Sequence, residues 1–283
     1  MYGSRPKRRP READLHLGID IGGSRVKVAW RVAGREWTLR TSEPDREANH
    51  HAVGQAIARV LHDVPEAAHV GVCAPGIIDP ESGRIVRMAN LPQLEGLRLS
   101  ELLPAALAGA PLRCFTDARA AAFDAGDGLT GRCAALVLGT GVGLSVLDDG
   151  VPLRVSGESS GHIGHADLHL PGEAGYGTTV EDVLGARALE ARHGSPLPAL
   201  DLPEHDAALR ELVRVIRLVH AIYRPQHVLL LGGVGLALRP SIERARTIAA
   251  DRLTALAREG WTLRGARDAF HAARGAARLA GGA

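Results

Sequence analysis

The chain has 283 residues, and 45% of them are hydrophobic, which suits one large or two modest domains with a packed core. Its formal net charge of +2 is too small to indicate a nucleic-acid or membrane partner, and the 3% of aromatic residues are too few for a base-stacking surface. No apolar run reaches the roughly 18 residues that would predict a membrane span.

The cysteines and the N-terminal residues bear on the cellular compartment. Cys73, Cys114 and Cys133 are far apart and form no CxxC pair, so we interpret them as reduced and buried. Met1 to Arg11 is basic and lacks the apolar segment of a secretory signal. These features predict a cytoplasmic protein. Residues 1–13 predict a disordered basic tail, and a nucleic-acid-binding arm is the less favoured interpretation of the same charges.

The first half of the chain predicts a mixed α/β domain. Leu15 to Trp30 predicts two strands separated by Gly22-Gly23, because apolar residues alternate on both sides of the glycines. Trp37 to Arg40 predicts a third strand. Ala52 to Leu61 has apolar residues at helical spacing and predicts a helix. Val70 to Ala74 predicts a short apolar strand that a Pro-Gly pair ends.

The second half repeats this order of elements. Cys133 to Val146 predicts a strand, a glycine-rich turn and a second strand. Ala207 to Tyr223 has the apolar spacing of an amphipathic helix, and His227 to Leu231 predicts a buried strand that ends in Gly232-Gly233. The similarity between the halves indicates two related domains that face each other.

A domain boundary is predicted in the segment from Gly109 to Arg113. Residues 14–112 then make an N-terminal α/β domain with the first glycine turn. Residues 113–283 make a C-terminal α/β domain with the later glycine segments, and its final helix is able to return to the first domain.

Two glycine-rich hairpins are the first functional signal. Asp20 to Arg25 is one turn, and Gly139 to Gly143 is the other. Glycine permits the positive φ values and the close approach through which several backbone N–H groups meet one anion. Asp20 is placed to hold Mg²⁺ directly or through water.

Each turn by itself is usually just a hairpin, and neither fits the Walker or Rossmann patterns, which need a helix after the loop. The two turns lie about 120 residues apart in similar halves, which predicts a nucleotide held between two domains.

The segments around these glycines resemble the motifs of the superfamily that contains actin, hexokinase and the heat-shock ATPases. Asp20 to Arg25 resembles its first phosphate motif, Leu138 to Gly143 its second, and Leu229 to Gly235 its adenosine motif. The resemblance runs from about Leu15 to Leu279 and keeps the motif order. Three further segments narrow it to the ROK family of bacterial sugar kinases and repressors: Ala74 to Asp79, Met88 to Pro92 and Arg224 to Val228.

This resemblance implies a two-domain α/β fold, the actin-like ATPase (ribonuclease-H-like) fold, with a central cleft. It implies ATP and Mg²⁺ as cofactors, a small-molecule sugar as the partner, and a homodimer. Repressors of the family carry an N-terminal helix-turn-helix domain, and a first strand that begins near Leu15 leaves no room for one. The residues implied to bind the nucleotide lie in the three glycine segments: Asp20, Gly22, Gly23, Ser24, Arg25, Gly139, Thr140, Gly141, Gly143, Gly232 and Gly233.

Asp117 is implied by the resemblance to be the general base. The family places a catalytic Asp after the strand that begins its second domain and before an Ala-rich helix, and Cys114 to Ala122 fits that place. A carboxylate in a cleft is suited to take the proton of an acceptor hydroxyl during phosphoryl transfer. Asp is also a favoured helix N-cap, which is the alternative interpretation, and the two roles are compatible.

Sugar contacts are implied at five further residues. Asn90, in the Asn-Leu-Pro segment, is either a sugar ligand or a turn residue. His162 and His165 match a Gly-Glu-x-Gly-His motif of the family. Glu181 matches a Glu that opens a helix, where the helix dipole also favours a carboxylate. Thr116 stands directly before Asp117, where the family usually has Asn.

Three positions depart from the family pattern. Thr116 replaces that Asn, His162 replaces the Glu of the motif, and Arg25 replaces the usual Lys of the first phosphate motif. Members that hold zinc use the motif His and three cysteines, whereas residues 166–180 contain no Cys, so we expect no zinc site at His165. A new metal cluster made by the histidines of this loop is the less favoured interpretation.

Three functional hypotheses follow. The favoured one is ATP-dependent phosphorylation of a hexose or N-acylhexosamine, most simply at the 6-hydroxyl, with Asp117 as the base. The second, which Thr116 and His162 motivate, is a catalytically weakened sugar-binding sensor or scaffold. The third is a kinase with another phosphoryl donor, such as polyphosphate, and the adenosine-like motif argues against it.

Overall fold

The computed structural model describes residues 15–32, 34–45, 49–64, 67–88, 90–107, 109–155, 159–167, 169 and 171–282. The basic tail predicted over residues 1–13 lies outside the described residues. The described chain is a mixed α/β structure with two five-stranded sheets and one short hairpin.

The first half of the chain builds one sheet and one helix from these elements: β1 (Leu15–Ile21), β2 (Val26–Val32), β3 (Thr38–Thr41), α1 (His50–Val60), β4 (His69–Ala74), β5 (Ile77–Ile78), β6 (Ile85–Arg87) and β7 (Leu112–Thr116). The strand order is β3-β2-β1-β4-β7. Strands β1, β2 and β3 form an antiparallel meander, β4 runs parallel to β1, and β7 runs parallel to β4. Helix α1 begins after Asn49, whose side chain accepts a hydrogen bond from Ala52 N at 3.0 Å.

The second half builds a sheet of the same kind and most of the helices: α2 (Asp117–Ala125), β8 (Arg132–Leu138), β9 (Val142–Asp148), β10 (Val151–Pro152), α3 (Val180–Leu184), α4 (Ala186–His193), α5 (Ala207–Tyr223), β11 (His227–Leu231), α6 (Gly232–Ala237), α7 (Ile242–Asp251), β12 (Thr262–Gly265) and α8 (His271–Ala280). The strand order is β10-β9-β8-β11-β12. Again the first three strands are antiparallel and the last two are parallel to β8. The two sheets therefore share one topology.

Helices α2 and α8 form a layer between the two sheets. Helix α8 ends the chain, yet it packs on β1, β4 and α2. Gly18, Gly71 and Gly275 permit this packing, because a Cβ on any of them would overlap a backbone oxygen of the opposing element. One apolar cluster joins this layer to both sheets, through residues such as Phe115 in β7 and Leu229 in β11.

A buried ion cluster also ties α2 to α8. Asp124 Oδ2 accepts hydrogen bonds from His271 Nδ1 at 2.7 Å and from Arg274 Nε at 3.0 Å. Arg274 is 2% exposed. Burial works against ionisation of Asp124, but the hydrogen bonds from His271 and Arg274 and the charge of Arg274 outweigh it and hold the pKa of Asp124 below its usual value. The end of α2 is therefore held by paired charges as well as by apolar contact.

The first sheet takes its last strand, β7, from residues up to Thr116, because β7 pairs with β4. If each sheet defines one domain, the boundary therefore lies after Thr116. The domain boundary predicted from the sequence lies after residue 112. The two positions differ because the five residues of β7 do not reveal which sheet the strand joins.

The predicted elements with the clearest periodicity are confirmed. Helix α5 and strand β11 have the predicted bounds, and both predicted strand–turn–strand segments are present as β1–β2 and β8–β9. Cys73 and Cys133 are buried, Cys114 is half-buried, and all three are free thiols. Burial raises the pKa of Cys114 and Cys133 to about 11, so both stay protonated and unreactive near neutral pH.

No helix in the part of the chain that the structure describes is long and apolar enough to cross a membrane.

Candidate active site

The first glycine turn joins β1 to β2 and sets Asp20 opposite Lys27. These two residues are partners in the antiparallel register. Lys27 Nζ lies 3.0 Å from Asp20 Oδ2. Asp20 is only 4% exposed, and a carboxylate this deeply buried needs such a cation. The charge of Asp20 raises the pKa of Lys27, so the lysine is protonated at neutral pH.

The turn after Asp20 is tight and meets the second glycine turn directly. Gly22 N donates a hydrogen bond to Arg25 O at 3.0 Å. A Cβ on Gly23 would lie 3.0 Å from Thr140 Oγ1 and 3.2 Å from Asn90 Cβ. Neither Gly22 nor Gly23 has a positive φ, and the same holds for the glycines of the second turn. Close approach, and not a left-handed backbone, is what requires glycine here.

The second glycine turn joins β8 to β9 and is held by Glu181. Glu181 Oε2 accepts a hydrogen bond from Val142 N at 2.9 Å. A Cβ on Gly141 would lie 2.6 Å from that oxygen and 3.3 Å from Asn90 Nδ2. Gly139 N donates to Gly141 O at 2.9 Å, which closes the turn on itself. Asn90 therefore lies beside both turns.

The third glycine segment lies against the second. Gly232 begins α6 with a φ of 81°, and a Cβ there would overlap the carbonyl oxygen of Leu138, which immediately precedes the second turn. Gly233 has open space around it. A Cβ on Gly143 would lie 3.3 Å from Ala118 Cβ in α2. All three glycine segments and the start of α2 therefore converge.

Asp117 is the first residue of α2. The helix cap is Thr116, whose Oγ1 accepts a hydrogen bond from Arg119 N at 3.3 Å. The interpretation of Asp117 as the N-cap is therefore wrong, because the preceding hydroxyl takes that place. Asp117 Oδ1 instead accepts a hydrogen bond from Ala118 N at 2.7 Å.

The electrostatic setting of Asp117 suits a general base. Burial and the nearby charge of Asp20 raise the pKa of Asp117 to about 6, against the Ala118 N–H and the charge of Lys27, which lower it. A carboxylate with this pKa is mostly ionised at pH 7 and still accepts a proton more readily than an exposed aspartate. Perturbed carboxylates of this kind cluster at functional sites.

The remaining predicted sugar ligands lie in different settings. Asn90 and Glu181 touch the glycine turns, whereas Thr116 uses its hydroxyl as a helix cap. His162 and His165 are exposed, and their rings stack 5.9 Å apart on a short 3₁₀ turn. That turn packs on β9, since a Cβ on the intervening glycine would lie 2.5 Å from Val142 O. Sugar binding by these residues stays a prediction.

A cavity of about 560 Å³ adjoins the first glycine turn. Gly22, Ser24 and Arg25 line one side of it, and residues of β3 and α1 line the other. Asp20 and Asp117 are not among its lining residues, so this cavity lies beside the first turn and does not contain the two carboxylates.

Among the described residues, no group of three or more His, Cys, Asp or Glu side chains is placed to hold a metal ion. Asp20 has one oxygen on Lys27, and the other faces Cys73 Sγ at 3.9 Å. This setting fits a Mg²⁺ ion that keeps its waters and is bound mainly by substrate phosphates, with Asp20 in contact through water.

Lys27 is the functional candidate that the sequence reasoning missed. It alternates with Val26 and Val28 along β2, as a surface lysine of a strand would. Two signals were available in the sequence. Lys7 and Lys27 are the only lysines of the chain, and a hairpin that turns at residues 22–25 sets Lys27 across from Asp20.

The arrangement of the two sheets and their glycine turns can be compared with that of known folds. Two sheets of one topology, each with a glycine turn between its first two strands, meet at those turns beside Asp20 and Asp117. The chain has the same fold as the ROK hexokinase from Thermus thermophilus, with a TM-score of 0.68 and 23% identity over 94% of this chain and 97% of that one. These observations confirm the predicted two-domain actin-like ATPase fold.

The chain belongs to the ROK family, whose sequence model matches residues 16–282. An N-acetylmannosamine kinase from Salmonella typhi is 30% identical over 248 residues, which cover 78% of this chain and 84% of that protein. A ROK family glucokinase from Streptomyces griseus, solved with glucose and AMPPNP, has a TM-score of 0.70 and 18% identity, covering 95% of this chain and 100% of that one. The chain spans 60% and 51% of the length of two further curated relatives that it matches.

Proposed function

We propose that this chain is an ATP-dependent sugar kinase that phosphorylates a hexose or an N-acylhexosamine, with the 6-hydroxyl as acceptor and Asp117 as the general base. The observation that carries the proposal is the group formed by Asp20, Lys27 and Asp117 where the two glycine turns meet. The relative that acts on N-acetylmannosamine and the fold shared with a glucokinase bound to glucose and AMPPNP support the choice of substrates.

The proposed chemistry is a displacement at the γ-phosphorus of ATP. The sugar hydroxyl oxygen forms a bond to that phosphorus while the bond to the bridging oxygen of ADP breaks. The hydroxyl proton passes to Asp117, which its pKa of about 6 prepares for that step. The products are ADP and the sugar phosphate.

The chain's own groups supply positioning and charge. Backbone N–H groups of the turns at Gly22-Gly23 and Gly139 to Gly143 would hold the phosphates, as oriented amides do in anion sites. The Gly232-Gly233 segment, with open space at Gly233, would face the adenosine. Lys27 neutralises Asp20 and so lessens the negative charge that approaching phosphates meet. A bound Mg²⁺, in contact with Asp20 through water, would supply further neutralisation of the phosphate charge.

The proposed sugar contacts follow from the residues beside the turns. Glu181 holds Val142 N through Oε2, and we place a sugar hydroxyl on its other oxygen. Asn90 lies between the turns and has a side-chain amide suited to a second hydroxyl. We place the protein in the cytoplasm, where ATP is available, and as a homodimer, and both remain predictions.

The sensor hypothesis rests on Thr116 and His162. Thr116 replaces an amide but caps the helix that carries Asp117, so it orients the base. His162 is exposed, and among the described residues it makes no hydrogen bond to either cleft carboxylate. Sugar binding alone does not require the raised pKa of Asp117 or the buried Asp20–Lys27 ion pair beside it. These two features therefore favour the kinase hypothesis over the sensor hypothesis.

An ADP-release assay with Mg-ATP tests the proposal. The panel holds glucose, mannose and their N-acetylated 2-amino counterparts, together with N-acetylgalactosamine. We expect ADP release that depends on one or more of these sugars, and no release with the 6-deoxy analogue of the best one. Polyphosphate in place of ATP separates the two donor hypotheses.

Two results would contradict the proposal in different ways. Sugar binding without any sugar-dependent ADP release would establish a sensor. Turnover of a 6-deoxy sugar would keep the kinase but remove the 6-hydroxyl as the acceptor.

A further inference from the structure

A second cavity, of about 410 Å³, lies beside the layer formed by α2 and α8. It shares no residue with the candidate active site. Its walls come from both halves of the chain: the β2–β3 segment of the first sheet, the ends of α2 and α8, and strands β11 and β12 of the second sheet. Because α2 and α8 separate the two sheets, this cavity lies where the two halves of the chain meet.

The charges that line this cavity do not balance. Four arginines are present, Arg31, Arg264, Arg267 and Arg278, whereas Asp124 and Asp127 are the two carboxylates. His271 adds no charge, because its Nε2 accepts a hydrogen bond from the backbone N of Arg267 and is therefore unprotonated. The lining thus has an excess of two positive charges, in a chain whose formal net charge is +2 over its whole length.

The excess positive charge belongs to Arg31 and Arg264. The other two arginines have carboxylate partners: Arg278 lies 2.7 Å from Asp127, and Arg267 lies 3.5 Å from Asp268. In the described ranges, by contrast, neither Arg31 nor Arg264 has a carboxylate within 4.0 Å or a side-chain hydrogen bond. The Arg31 guanidinium is held over the ring of Trp37, 4.5 Å from its centroid, which fixes its position and leaves its edge free for a ligand.

We propose that this cavity is a binding site for a phosphate group, carried by free phosphate or by a small organic phosphate monoester, and that Arg31 and Arg264 hold the dianion. The planar guanidinium group matches phosphate geometry and keeps its charge at all physiological pH values. Trp37 lines the same cavity and offers an apolar surface to the body of a monoester.

The position of this site gives it a regulatory consequence. Arg31 lies on β2 of the first sheet and Arg264 on β12 of the second, so a dianion that contacts both connects the two halves. A ligand that binds one relative position of the halves better than another shifts the population toward that position. A ligand bound here would thereby affect the candidate active site without contacting any residue of that site.

Calorimetric titration of the wild-type chain with glucose 6-phosphate and with inorganic phosphate tests the proposal directly. The variants are Arg31→Gln and Arg264→Gln, and the matched control is Arg217→Gln, an exposed arginine on α5 outside the cavity. We expect affinity at least tenfold weaker in each cavity variant and unchanged affinity in the control. Tighter binding of glucose 6-phosphate than of phosphate would identify the monoester as the ligand class, and equal affinity would identify free phosphate.

The proposal is overturned if neither probe binds the wild type, or if both cavity variants bind as the wild type does. Binding in the active site alone would give the second of these results, because neither arginine lines that site. Arg264→Lys keeps the charge and should retain part of the affinity, and thermal unfolding of each variant shows that it is folded. No turnover is measured, so the result stands whether or not the chain proves to be a kinase.

Discussion

At the scale of single residues, the site depends on two carboxylates and one lysine. Asp20 is nearly inaccessible and is neutralised by Lys27, while Asp117 is raised in pKa by burial and by the charge of Asp20. A buried ion pair beside a carboxylate of raised pKa is suited to divide charge stabilisation from proton transfer. The charge of Lys27 lowers the pKa of Asp117 and so limits that rise.

The pH dependence of turnover follows from Asp117. Its pKa in the folded protein is about 6, and the base is competent only when ionised. We expect kcat/KM for the sugar to be constant above about pH 7 and to fall tenfold per pH unit well below pH 6. A pH–rate profile with saturating Mg-ATP checks this expectation. An acid limb with a midpoint near 4 would show that the titrating base is not Asp117 in this environment.

Replacing Lys27 should move that acid limb. The charge of Lys27 lowers the pKa of Asp117, so Lys27→Met should shift the midpoint above pH 6. The variant also leaves the Asp20 carboxylate without its cation, which should lower the free energy of unfolding by about 3 kcal/mol. Lys27→Arg retains the charge and is the control. An unshifted midpoint in Lys27→Met would show that the lysine has no electrostatic contact with the base.

At the scale of elements, close backbone packing fixes the helix that carries Asp117. Helix α8 meets β1, β4 and α2 at glycines, and the Asp124–Arg274 pair joins α2 to α8 at the far end from Asp117. Interiors packed this densely do not yield to an added methyl group without displacement of an element.

Gly275→Ala therefore should destabilise the protein, by about 3 kcal/mol, since its Cβ overlaps the carbonyl oxygen of Ala120. The control is Gly54→Ala in α1, where the nearest atom would be 3.7 Å away. Alanine is the better helix former, so this change should stabilise the protein by up to about 1 kcal/mol. Urea unfolding of both variants measures the two effects. Equal stabilities would show that α8 does not pack on α2 as described.

The elements also show how far the sequence predicts this structure. Helix α5 and strand β11 have the predicted bounds because a continuous apolar period marks them. The sequence does not reveal that strand β7 pairs with β4 of the first sheet, since sheet membership depends on pairing between distant segments. The glycine turns lie where the sequence predicts them, but the close contacts of Gly23 with Thr140 and Asn90 join distant segments and are not apparent from local sequence.

At the scale of the whole molecule, two five-stranded sheets of the same topology pack on opposite sides of a layer formed by α2 and α8. Each sheet contributes the glycine turn between its first two strands, and the two turns meet at Gly23 and Thr140. In the proposed kinase, the two substrates would bind where the turns meet, and water would be excluded when the two halves approach. The arginine-lined cavity lies beside the same helical layer, where a ligand would act on that approach.

Sugar-dependent ADP release by Asp117→Asn, measured beside the wild type at pH 8, tests the proposed base most directly. Asparagine keeps the acceptor oxygen for Ala118 N and removes a carboxylate that burial disfavours, so the variant should be at least as stable as the wild type. We expect turnover to fall by a factor of at least about 100, with sugar affinity retained. Turnover within a few fold of the wild type would contradict the assignment of Asp117 as the base.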